Sequence, residues 1–118
     1  MTTSTATMKA AWKPNNLPAG FIYTGRAFNR YGFHLPEHPL HNPYDLKAYG
    51  DQAVALYVDH LLGRPDLIAL AESYKGWTLV CWNHGGLCHN TILAAVADGE
   101  LERIPAILDA DRDHQGAR

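Results

Sequence analysis

Between Val80 and Asn90 the chain places both of its cysteines, one of its three tryptophans and two of its seven histidines, with Cys81-Trp82-Asn83-His84 followed, seven positions after Cys81, by Cys88-His89-Asn90. Thiol and imidazole side chains can serve as metal ligands, nucleophiles or general bases. A zinc site from Cys81, His84, Cys88 and His89 has suitable ligand types but poor spacing. Adjacent Cys88 and His89 diverge, and Cys81 sits in an apolar run where free cysteine acts as a small hydrophobe. Zinc is therefore the minority reading, and neither a metal site nor a cofactor is expected. For catalysis, Cys88 and His89 are the candidates, because a thiol at a helix start is acidified by the helix dipole and a nearby histidine. His89 lies about 100° around an ideal helix from Cys88, so the base for such a thiol would come from elsewhere. The loop histidines His34, His38 and His41 are the other source, but Pro36 and Pro39 break any regular helix through them. Solvated histidines are expected there, His41 excepted because it adjoins Asn42-Pro43-Tyr44.

The elements that must position these residues point to an anion pocket. Phe21 to Thr24 has the β-branched and aromatic bias of a strand, expected to be the first and central one, and Gly25-Arg26 ends it. A long loop over 27–46 follows, then helical spacing over Asp51–Leu62 and Pro65–Tyr74. Trp77 to Trp82 is apolar on successive residues, as in a strand covered on both faces. Thr91–Ala97 and Leu101–Leu108 return to helix. The expected fold is a small three-layer α/β domain, Rossmann-like, with a short, mainly parallel sheet and a long loop in its N-terminal half. Residues 1–18 read as a flexible arm, 19–108 as the single domain and 109–118 as a charged tail. Open α/β sheets bind ligands beyond their strand C-termini, where helix N-termini offer N–H groups to anions. The ligand-binding set expected on this basis is Tyr23, Gly25, Arg26, His41, Asn42, Tyr44, Asn83, His89 and Asn90. Arg26 would pair with an anion, Asn83 and His89 would read polar edges, and Tyr23, Tyr44 or Trp82 would stack on a base.

Composition narrows the classes. At 118 residues with 47% hydrophobic and 19% charged residues, the chain suits one globular domain rather than a disordered segment. Its formal charge of −2 gives no global reason to bind a nucleic-acid polymer. No apolar stretch approaches the roughly 20 residues of a membrane span, and no secretory segment is visible. A cytoplasmic protein with reduced cysteines is expected.

Four motifs, in order, resemble an uncharacterised bacterial and phage family, domain of unknown function 4326. Tyr23-Thr24-Gly25-Arg26 is similar to its strand-ending Tyr-x-Gly-Arg, and Asn42-Pro43-Tyr44 to its Asn-Pro-aromatic motif. Ala53 to Tyr57 resembles its Ala-x-x-x-Tyr helix, ahead of a leucine-rich helix like Pro65 to Tyr74. Gly76 to Trp82 with Cys88-His89 resembles its Cys-Trp-Cys strand and Cys-His helix start. The resemblance covers about three quarters of the chain. Asn83 stands where the family has a second cysteine, Thr91 where an acidic residue is common, and the loop between Arg26 and Asn42 is longer. The resemblance implies a fold and candidate residues, without a named activity. The expected function is binding, with or without processing, of a nucleotide-like or other anionic small molecule. The alternatives are a Cys/His-dependent hydrolase or transferase on a nucleotide-type substrate, and a phage- or bacterium-encoded protein-binding module using the 27–46 loop. A homo-oligomer or protein partner fits either.

Overall fold

Among the described residues three short strands run parallel in the order β1-β3-β2: β1 is Ser4–Thr7, β2 is Phe21–Tyr23 and β3 is Thr78–Cys81. The structure is a computed structural model and describes residues 2–44, 46–49, 52–82 and 89–109. Thr78 is in register with both Ser4 and Phe21, so β3 is the shared centre. Its alternation explains the unbroken apolar run. Leu79 packs into the core on one face and Val80 into the core on the other, and Leu79, Val80 and Cys81 are all buried.

The strand at 21–23 lies at an edge of the sheet, which corrects the expectation that it would be central. Its position follows from β1, which occupies residues expected to be a flexible arm. Thr3 anchors that strand: its backbone N–H and hydroxyl donate to the Asp98 carboxylate, the hydroxyl at 2.7 Å, and Gly76 N–H donates back to Thr3 Oγ1 at 3.0 Å. Ser4 N–H and Met8 N–H then bond to Trp77 and Cys81 carbonyls. The side chains of β1 stay largely exposed, so the strand is held by backbone bonds and leaves no apolar alternation to read.

Among the described residues, helices α1 (Leu46–Tyr49), which begins at the last residue of the expected loop, α2 (Ala53–Leu62), α3 (Pro65–Glu72) and α4 (His89–Ala97) follow along the chain. The last three form one layer. Val54, Tyr57, Val58 and Leu61 of α2, Leu67 and Ala71 of α3, and Ile92, Leu93 and Val96 of α4 share a core with Leu79. Pro65 starts α3 at a position whose N–H has no helical partner. Gly99, at φ 72°, stops α4: Gly99 N–H bonds to Val96 and Glu100 N–H to Ala95, pairing two otherwise orphaned carbonyls. A 3-10 turn at Leu101–Arg103 leads into helical residues 104–109, with Ile104 buried.

The other face of the sheet is covered by irregular chain rather than helix. Met8, Tyr23, Phe33, Leu35 and Val80 form its core, with Trp12, Leu17, Phe28 and Trp82 packed around it. Residues 28–35 of the expected loop are thereby held against the sheet through Phe33 and Leu35, and an antiparallel bridge joins Phe28 to Leu35. The result is a small α/β domain with helices on one face of a parallel sheet and an aromatic layer on the other. Among the described residues no helix is long and apolar enough to cross a membrane.

Candidate functional site

The turn from Tyr23 to Arg26 leaves the end of β2 and organises everything around it. Tyr23 folds back so that its hydroxyl donates to the Arg26 carbonyl at 2.6 Å, with Gly25 packed against the ring. Burial pushes the Tyr23 phenol up, and the Trp82 indole beside it pulls it partly back. Thr24 is the hub. Its N–H extends the sheet to Val80, its hydroxyl bonds to Asn90 Oδ1 in a fully buried pair, and its carbonyl accepts from His89 Nε2 at 2.9 Å. Thr24→Val keeps the shape and removes the donor to a buried amide, so it is expected to lower unfolding stability by about 1–2 kcal/mol. A urea titration matching wild type would show that this bond does not support the fold.

A second segment docks the loop onto α2. Tyr57 donates to the Leu40 carbonyl at 2.7 Å, and Asn42 Nδ2 donates to Ala53 O at 3.3 Å. Asn42 Oδ1 accepts from Tyr44 N–H at 2.9 Å, the local turn that asparagine before proline makes readily. The Asn42 carbonyl accepts from Arg26 Nε at 3.1 Å. That bond joins the two segments and aims the guanidinium.

Backbone partners set the histidine tautomers. His89 Nε2 meets a carbonyl, so it carries the proton and Nδ1 is the acceptor in the neutral ring. His41 Nδ1 meets the His38 carbonyl at 2.8 Å and is likewise protonated, leaving Nε2 facing Glu37 at 3.6 Å. His38 is reversed: Nδ1 accepts from Leu40 N–H, and Nε2–H donates to the Tyr74 hydroxyl at 3.2 Å. Burial lowers His38, and the charge of His41 adds to it. Burial pushes His89 down to about 4; its bond to Thr24 opposes this, while the charges of His41, His38 and Arg26 act with it. The His89 ring also stands edge-on to Tyr57, with centroids 5.3 Å apart. At neutral pH, Arg26 is therefore the fixed positive charge beside the neutral rings of His38 and His89. It is exposed, and no ion pair among the described residues involves it.

Arg26, His41, Asn42 and His89 thus come together at the C-terminal end of β2 and the start of α4. Tyr23 and Gly25 lie behind them, buried, and Asn90 is wholly enclosed in its pairing with Thr24. Tyr44 is partly exposed, its ring edge-on to Tyr49 and His60. Asn83, His84 and Cys88 lie outside the described residues. Cys81 is disulfide-bonded, which corrects the expectation of a thiol and removes a thiolate from the zinc reading. Sequence reasoning missed Thr24, Tyr57 and His38; the first occupies the unspecified position of Tyr-x-Gly-Arg, where only the fold reveals its role. A cavity of about 250 Å³ runs along the outer edge of β2, lined by Leu17, Phe21, Tyr23, Pro36, Glu37 and His38. It meets the imidazole cluster at His38 and Glu37 only.

Fold and site together define a small α/β domain with an arginine and imidazole cluster at the end of an edge strand. The model of the family described as Domain of unknown function (DUF4326) matches residues 8–99, and the chain belongs to that family. No curated protein and no solved structure matches the chain. The motif residues bond to one another: Tyr23 to Arg26, Arg26 to Asn42, Asn42 to Ala53, and His89 to Thr24.

Proposed function

We propose that the protein binds a nucleotide-like or other anionic small molecule at this cluster. The observation that carries the reading is the Arg26 guanidinium. It is oriented by a single Nε bond to Asn42 O, it is exposed, and no carboxylate pairs with it among the described residues. An arginine held through Nε keeps its terminal amines for phosphate or carboxylate, the bidentate use for which the group is suited. His89 at the start of α4 and His41 border the same space and supply polar edges. Tyr44 supplies a partly exposed ring for a base; Tyr23, turned into the core, does not.

A thermal-shift screen with nucleoside mono-, di- and triphosphates and inorganic phosphate tests the reading. A ligand at a hundredfold excess over its Kd stabilises the fold by about 2.7 kcal/mol, a clear rise in Tm for a domain of this size. Arg26→Ala is expected to abolish the rise, and Arg26→Lys to restore it only in part because lysine lacks the planar fork. If no compound in the panel raised Tm, the reading would be wrong. Turnover of a bound nucleotide that disappears in His89→Gln while binding survives would move the protein into the hydrolase or transferase class.

A further inference from the structure

The net charge conceals a sharp asymmetry along the chain. All 12 acidic residues fall at Glu37 or later, while Lys9, Lys13, Arg26 and Arg30 precede it. The fold spreads this carboxylate-free stretch over the sheet face opposite the helices. Lys13 Nζ lies 5.2 Å from the Phe33 ring centre and Lys9 Nζ 5.5 Å from that of Trp12, while the Arg30 carbonyl accepts from Phe33 N–H. Lys9, Lys13 and Arg30 are all exposed, and no ion pair among the described residues involves them.

Among these cations stands Tyr31, 77% exposed. Its backbone has φ 53°, the left-handed region that is uncommon and costly for an aromatic residue. The ring is not adrift: it leans on Phe28 at 6.3 Å, and Phe28 rests on Trp82 at 4.7 Å. The chain thus accepts backbone strain to hold a supported aromatic face in water between positive charges.

We propose that this face binds single-stranded nucleic acid, with Lys9, Lys13 and Arg30 on phosphates and Tyr31 stacked on a base. Exposed cations without carboxylates call for a polyanion, and a presented ring calls for a flat partner. Single strands offer both in alternation. A duplex hides its base faces, and an acidic peptide leaves Tyr31 unused. The reading is separate from the Arg26 cluster and does not depend on it.

Fluorescence anisotropy of the full chain with a short labelled oligothymidine, compared at about 50 and 200 mM salt, tests the proposal. Binding is expected to weaken with salt at a log–log slope of about −2, three cations at roughly 0.7 each. Replacing Lys13 and Arg30 together with alanine should cut the slope to about −0.7. Tyr31→Asn should weaken binding about 5- to 100-fold with the slope unchanged; asparagine accepts the left-handed backbone, so an unaltered melting curve excludes unfolding as the cause. No binding at low salt, or wild-type affinity in Tyr31→Asn, would overturn the proposal. Equal affinity for the matching duplex, or equally effective competition by polyglutamate, would also overturn it, the last in favour of an acidic protein partner.

Discussion

Gly25→Ala is expected to destabilise the protein by about 2–4 kcal/mol, the sum of overpacking and a lost buried bond. A Cβ at this position would fall 2.5 Å from the Tyr23 hydroxyl oxygen and 2.6 Å from the ring carbon that bears it. The ring cannot yield cheaply. Tyr23 is 6% exposed, wedged among Phe33, Leu35 and Val80, and tied at its tip to the Arg26 carbonyl. Relief therefore shifts the backbone that carries Arg26 and Thr24, and both stability and ligand binding should suffer. Chemical denaturation of Gly25→Ala, Tyr23→Leu and the double variant separates the causes. A smaller residue at 23 should absorb part of the clash, so the two losses should fall short of additivity. Wild-type stability in Gly25→Ala would show that the tyrosine does not fold back over the glycine.

The second large effect is a loss of stability on acidification. His89 is pushed down to about 4 in the folded protein, against about 6.5 for an unperturbed imidazole. Above about pH 6.5 both folded and unfolded forms hold the ring neutral, and stability does not depend on it. Between about 6.5 and 4 the unfolded chain takes up a proton that the folded one refuses, so stability falls with falling pH and approaches a total loss of about 3 kcal/mol. His38 is lowered too and acts in the same direction. Unfolding free energies measured across this range should slope accordingly, and His89→Gln should flatten most of the slope, glutamine offering an N–H to the Thr24 carbonyl without a titrating charge. A bound anion offsets the Arg26 charge that helps hold His89 down, so ligand should reduce the slope as well. A His89→Gln profile parallel to that of wild type would place the titration elsewhere.

What the residues disclosed beforehand depended on how each segment is buried. β3 and helices α2 and α3 were legible because burial imprints periodicity: Val54, Tyr57, Val58 and Leu61 on a helix face, Leu79 and Val80 on opposite faces of a covered strand. β1 was not, since an edge strand with outward-facing threonines is fixed by backbone bonds and by Thr3 to Asp98, 95 residues away. Arg26, Asn42 and His89 could be singled out by type and motif. The bonds that gather them could not, because they run through main-chain carbonyls of Thr24 and Asn42, which no side-chain pattern encodes. Tyr23 had the composition of a stacking residue but serves as the underside of its own turn. His38, set between prolines, looked solvated and instead bridges the loop backbone to Tyr74. Net charge misled in its own way: −2 over the whole chain averages a carboxylate-free N-terminal stretch with an acidic remainder.

The central claim is that a small anion binds beside Arg26 at the end of β2, and an NMR titration of the isotopically labelled protein with inorganic phosphate and then adenosine monophosphate tests it most directly. Saturable shifts are expected for the Arg26 Nε–H, the amides of Thr24 to Arg26 and the His89 ring, with His89 moving toward a higher pKa as ligand is added. The same titration of Arg26→Ala should leave these signals still. Shifts confined to Lys9, Lys13 and Tyr31 on the opposite face, or none at millimolar ligand, would contradict the claim.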